Sequence, residues 1–224
     1  MFRLNTYLND LISECRSCFT DRLLYVGLQG SYLRGEENEH SDIDIMLILD
    51  RLTVDDMNAY RSILNRIGYY EKSCGFICGR DEIMRWNPLE VCQLKHTTRD
   101  LFGTLSDYLP NASRDDEILY VRLSLGNLYH AFCHHFIHAD QPKSIEHIRH
   151  FSKGMFFLIQ NLYYLESGTF AVSKKELKEL VSREDREVLM LEDVRNEDNL
   201  DQIYRTAFDW LQHAFRRIDS IKEK

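Results

Sequence analysis

The chain has 224 residues, 44% hydrophobic and 29% charged, with 3 prolines and 10 glycines. Such a composition describes one large or two small globular domains and excludes long disordered tracts. A formal net charge of -8 argues against a protein that grips long nucleic acid, which needs a basic chain or a basic face.

From the N-terminus, Leu4, Tyr7, Leu8, Leu11, Ile12, Cys15 and Phe19 recur at helical spacing and predict a helix over 2–19. Leu23–Leu28 reads as a buried strand, broken by Gly30-Ser31, with a polar loop over 32–41. Ile43–Leu49 is the second strand. Thr53 and Asp56 mark a helix start whose apolar face is Met57, Tyr60, Ile63, Leu64 and Ile67. A third strand is expected over Cys74–Cys78, one or two helical turns over Asp81–Trp86, and a fourth strand over Leu89–Leu94, carrying Glu90. A short linking helix is expected over Thr98–Tyr108.

After Pro110 the pattern becomes helical throughout. Long amphipathic tracts run to about His138, over Ser144–Glu166 and over Asn199–Ile221. A break is expected at ADQPKS, and Ser173 with Glu176 signals the start of a further helix. The expected fold is therefore α+β: a mixed sheet with helices over 1–110, followed by an all-α bundle of four or five helices over 111–224.

The start of the chain lacks the apolar core of a secretory signal, and no run approaches the ~20 apolar residues of a membrane span. A cytoplasmic protein with reduced cysteines is expected. Cys15 and Cys18, with Cys74 and Cys78, have a spacing that zinc would accept. Reduced thiols are the preferred reading, because Cys15 falls on an apolar helix face.

Asp42 and Asp44 interrupt an otherwise apolar strand start. Side chains two apart on a strand face the same way. Two such carboxylates repel unless a cation compensates, and hard oxygen donors suit Mg2+ held jointly with phosphate. The preceding Gly30-Ser31 turn offers backbone N–H groups and a hydroxyl with no side chain in the way.

An apolar strand, Gly30-Ser31, ten intervening residues, then Asp42-Ile43-Asp44 opening a second apolar strand resembles the polymerase-β-like nucleotidyltransferase superfamily. The following helical half makes the layout similar to that of aminoglycoside adenylyltransferases. This resemblance implies Mg2+, ATP or another NTP as donor, and a small-molecule acceptor bearing a hydroxyl, in a cleft between the two domains. It implies Asp42 and Asp44 as metal ligands, and Glu90 as the third carboxylate, acting as metal ligand or general base. Asp81 and Glu82 are rivals for that third place, while Asp100 comes later, on the linking segment. It implies phosphate contacts from Gly30, Ser31, Arg34 and Lys153, with Lys174 second to Lys153. A protein-modifying nucleotidyltransferase of the antitoxin type, or a non-catalytic nucleotide-binding module, are the alternatives.

Other features carry less. His130, His134 and His138 share one helix face at i, i+4 and i+8; with no acid on that face, a cleft-lining role is preferred over zinc. Phe156, Phe157, Tyr163 and Tyr164 read as core, and Glu184, Asp185 and Glu187 as a solvated surface. Trp86 is core or an acceptor platform.

Overall fold

The computed structural model describes residues 2–140, 144–193 and 199–222. They divide into two compact units, Met1–Ala112 and Ser113–Lys224.

In the first unit, helix α1 (Leu4–Phe19) precedes strand β1 (Leu23–Leu28), a one-turn helix α2 (Gly30–Arg34), strand β2 (Ile43–Leu49) and helix α3 (Val54–Ile67). Strand β3 (Ser73–Gly79), helices α4 (Arg80–Ile83) and α5 (Pro88–His96) and strand β4 (Arg99–Phe102) complete it. The sheet order is β3-β2-β1-β4. β1 runs antiparallel to both β2 and β4, while β2 and β3 are parallel.

Alternation along β2 divides the sheet into two faces. Ile43, Ile45, Leu47 and Leu49 join Leu11, Cys15, Val26, Leu28 and Ile63 in a core beneath α1 and α3. Met46 and Ile48 pack on the opposite face with Tyr25, Cys78, Ile83 and Leu105. The second strand is thus buried on both sides, which explains its near-continuous apolar run.

The start of α3 is fixed by a capping box between Thr53 and Asp56. Arg22 donates to both oxygens of Asp56 and to Asp50. These bonds, those from Arg22 first, hold the Asp56 carboxyl well below the usual carboxylate range.

Two predicted elements differ. Residues 89–94 form α5 rather than a strand. Asn87 caps that helix by accepting from the Leu89 N–H, and Pro88 occupies its first turn, where a missing N–H costs nothing. Residues 98–108 are not a linking helix: they form the edge strand β4, then a single 3-10 turn at Leu105–Asp107.

The second unit holds helices α6 (Arg114–His138), α7 (Ile145–Ser167), α8 (Lys174–Leu180), α9 (Arg183–Leu189) and α10 (Leu200–Lys222). Ser113, Ser144, Ser173 and Ser182 cap the starts of the first four of these. The break expected at ADQPKS falls partly on 141–143, outside the described residues. Leu125, Ile159, Leu162, Ala207 and Leu211 lie at the centre of the bundle. Phe156 is buried, and Phe157 and Tyr163 pack against the same core, as read from their spacing.

Asp185 overturns its predicted place on the surface. It is 1% exposed, accepts from both Trp210 and Arg217, and sits in the first turn of α9. Arg217 also donates twice to Glu166. A carboxylate this deep is held by such bonds, and removing its partner would cost roughly 3–5 kcal/mol. Charge alone placed it on the surface, while its partners lie far along the chain.

Candidate active site

The site is built where β1 ends and β2 begins. The Gln29 N–H donates to the Asp44 carbonyl at 2.8 Å, and Leu28 pairs with Ile45. The α2 turn therefore starts beside the first residues of β2. Gly30 adopts φ +70°, and a Cβ on it would fall 1.8 Å from Asp44 Oδ2. The Asp44 carboxylate thus lies against the bare backbone of the Gly-Ser turn, and only glycine permits that approach.

Asp42 is exposed and Asp44 half-buried, on either side of the fully buried Ile43. The loop leading to them is pinned: Lys72 Nζ donates to the Glu39 carbonyl at 2.6 Å, and the Asn38 N–H donates to Ser41 Oγ at 2.9 Å. No basic side chain among the described residues pairs with either carboxylate. Two carboxylates on one strand face, neither with a basic partner, lie beside a glycine turn and would suit a hard divalent cation shared with phosphate. Mg2+ would suit this donor set, with Asp42 and Asp44 the residues that would hold it.

Strand β3 supplies the next neighbour. Parallel register sets Cys74 against Asp44. The approach needs Gly75, whose φ is +139° and whose Cβ would meet the Ile45 carbonyl at 1.9 Å. Burial first, then Asp44 and Asp42, raise the pKa of the Cys74 thiol. On the other flank, Gln29 Nε2 donates to Thr98 Oγ1 at 2.8 Å, and Tyr25 donates to Asp100 Oδ1 at 2.6 Å.

The predicted third carboxylate is not on a strand. Glu90 is exposed, in the first turn of α5, and accepts from Trp86 Nε1 at 2.8 Å. Trp86 packs edge-on against Phe76, ring centroids 5.0 Å apart. Phe76 is two residues after Cys74 on β3, so Glu90 is tethered over the sheet face that carries Asp44. Among the described residues, no three His, Cys, Asp or Glu side chains are arranged to hold a metal ion. The structure therefore does not bring Glu90 together with Asp42 and Asp44 as a third ligand. Of its rivals, Asp81 and Glu82 lie in α4, and Asp100 lies on β4, bound by Tyr25.

Gly30 and Ser31 open α2. Arg34 ends that helix, paired with Glu36 at 2.9 Å. Lys153 is exposed on α7 of the second unit, and Lys174 starts α8. His130, His134 and His138 lie exposed on α6, with successive ring centroids 6.1 and 4.8 Å apart. The close histidine contact is a different one, between His135 on α6 and His147 on α7.

Cys74 was missed as a site neighbour, and Asp100, weighed for the third carboxylate, was set on a linking segment rather than on a strand. Strand register alone brings them there, and the one sequence signal was Asn87-Pro88, which would have moved Glu90 onto a helix and left the fourth strand to Arg99–Phe102.

Residues 9–74 match the nucleotidyltransferase domain family. A curated protein of Methanocaldococcus jannaschii, provisionally named a protein adenylyltransferase, is 39% identical over 49 residues, 22% of this chain and 33% of that protein. The match spans about a third of that relative's length. The spectinomycin adenyltransferase AAD(9) of Enterococcus faecialis, solved with ATP and spectinomycin, superposes with a TM-score of 0.60 at 13% identity. That superposition covers 97% of this chain and 100% of the other. A toxin–antitoxin structure with AMP-PNP reaches a TM-score of only 0.33 at 22% identity, over 54% of this chain and 86% of its own, too low to bear on the fold. Residues 9–74 of the first unit therefore match a nucleotidyltransferase domain, and the chain shares the fold of the spectinomycin adenyltransferase.

Proposed function

We propose that this chain is a Mg2+-dependent nucleotidyltransferase that moves a nucleoside monophosphate, AMP from ATP, onto a hydroxyl of a small molecule. The observation that carries this reading is the Asp42–Asp44 pair set against the bare Gly30 turn, with Asp44 Oδ2 where a Gly30 side chain would stand. The match of residues 9–74 to the nucleotidyltransferase family and the full-length likeness to a fold solved with ATP and spectinomycin support it.

In this reading Asp42 and Asp44 hold the cation, and Gly30 and Ser31 receive the β- and γ-phosphates through backbone N–H groups and the Ser31 hydroxyl. When bound, Mg2+ neutralises phosphate charge and favours in-line displacement at the α-phosphorus. The acceptor oxygen forms a bond to that phosphorus, the bond to pyrophosphate breaks, and the acceptor proton passes to a carboxylate base. Glu90 is assigned as that base rather than as a metal ligand, because its tether to Trp86 keeps it on α5 over the same sheet face. Lys153 is a further candidate phosphate contact. Arg34 is another, and would leave Glu36 to make it.

A second reading, transfer to a protein hydroxyl, is favoured by the name of the Methanocaldococcus relative. The test is pyrophosphate release from ATP in the presence of a panel of hydroxyl-bearing small molecules, aminoglycosides and aminocyclitols first, with a mass shift on the acceptor. The native protein is expected to release pyrophosphate with one of them, and Asp42→Asn and Asp44→Asn to lose at least about a hundredfold in rate. Full activity in either variant contradicts the assignment.

A further inference from the structure

The connection from α3 to β3, over 68–73, has a strained backbone. Gly68 and Tyr69 take positive φ in succession, 84° and 60°. Glycine adopts such angles freely, but a tyrosine in the left-handed region is strained. Burial does not account for this, because Tyr69 is 48% exposed. Its ring instead meets Phe2 edge-on, with centroids 5.0 Å apart. Phe2 also packs against Tyr7 and Tyr32, each at 5.9 Å, and Tyr32 follows Ser31 in α2. The Tyr69 carbonyl accepts from the Lys72 N–H at 2.9 Å, which closes the turn. Lys72 then reaches a second stretch. Its Nζ donates to the Glu39 carbonyl at 2.6 Å and to the Ser41 carbonyl at 3.5 Å, in the loop that ends at Asp42. One turn therefore braces both α2, through packed rings, and the loop over 36–41, through an ammonium group.

We infer that Tyr69 and Lys72 are positioning residues for nucleotide binding: the 68–73 turn holds α2 and the loop before Asp42 in place, so that the Gly30-Ser31 backbone is set before a triphosphate arrives. The inference rests on the nucleotide-site reading given above. A loop that is already ordered loses less conformational freedom on binding, so its ligand binds more tightly. Neither residue touches the phosphates: Tyr69 acts through Phe2 and Tyr32, and Lys72 acts through backbone carbonyls. Residues that only packed would weaken the fold and ligand binding together. The strain at Tyr69 separates the two effects. Tyr69→Gly relieves the backbone while removing the ring, so the fold holds and nucleotide binding falls.

The test titrates the full chain with ATP in the presence of Mg2+ by calorimetry. Amide hydrogen exchange over 30–41 is read in the free protein, and thermal melting reports the fold. Tyr69→Gly is expected to melt near the parent, to speed exchange over 30–35 and to raise the Kd for ATP by about threefold to tenfold. Tyr69→Phe keeps the ring and is expected to bind ATP as the parent does. Lys72→Ala is expected to speed exchange over 36–41 and to weaken ATP to a similar degree, and Lys72→Arg to restore most of the loss. Phe2→Ala added to Tyr69→Gly is expected to lose little more than either change alone, because both act through one set of packed rings. ATP binding at parent strength in Tyr69→Gly or Lys72→Ala overturns the inference and leaves the site reading standing. Weakening that only tracks a fall in melting temperature also overturns it. A parent chain that binds no ATP overturns the site reading and the inference with it.

Discussion

Gly30 is where side-chain choice is most constrained. Its φ of +70° disfavours any Cβ, and that Cβ would collide with Asp44 Oδ2. Gly30→Ala therefore does two separable things. It costs about 1–2 kcal/mol of backbone strain, and it displaces the Asp44 carboxylate from the turn. The expected outcome is a modest fall in melting temperature with loss of Mg-nucleotide binding, read by thermal melting and calorimetry on the same sample. Nucleotide binding at native affinity in Gly30→Ala would mean that the turn and Asp44 do not act together. Asp185 teaches the opposite lesson about charge. It sits in a run with Glu184 and Glu187, yet it is buried against Trp210 and Arg217. Buried carboxylates of this kind cannot be told from solvated ones without knowing their partners.

At the scale of elements, periodicity located the long helices and the two central strands. Strand β2 was legible because it is apolar on both faces, and α6 and α7 because buried apolar residues recur along each, over 118–132 and 148–165. The misread elements are short. Residues 89–94 combine Leu89, Val91, Cys92 and Leu94 in a run that fits a strand or a helix equally well. The cap at Asn87 decides it. Strand β4 is four residues long, with Arg99 and Asp100 exposed, so an edge strand of this kind has no apolar signature. The two carboxylates and the glycine of the site were legible because they break local patterns. Cys74 was not, because its place depends on which strand pairs with β2 and in what register.

The α6–α7 contact gives a pH prediction. Burial first, then His147, His150 and His134, lower the pKa of His135. As pH falls below the ordinary histidine value of about 6.5, the unfolded chain takes up a proton that the folded chain resists. Stability of the second unit should therefore decline between about pH 7 and pH 5, and His135→Asn should flatten that decline. Urea unfolding followed across this range checks it, and an unchanged slope in the variant contradicts it.

At the scale of the whole molecule, the chain joins a unit that matches the nucleotidyltransferase domain family over residues 9–74 to a helical bundle, and its overall charge is -8. No helix among the described residues is long and apolar enough to cross a membrane. A negative chain must offset its own repulsion toward a triphosphate, which makes the cation proposed at Asp42 and Asp44 central to nucleotide binding. The most direct measurement is calorimetric titration of the native chain with each of the four NTPs, in Mg2+ and again in EDTA, repeated for Asp44→Asn. The account predicts binding of one NTP, ATP, that requires Mg2+ and disappears in Asp44→Asn. ATP binding of equal strength in EDTA, or in Asp44→Asn, would contradict it.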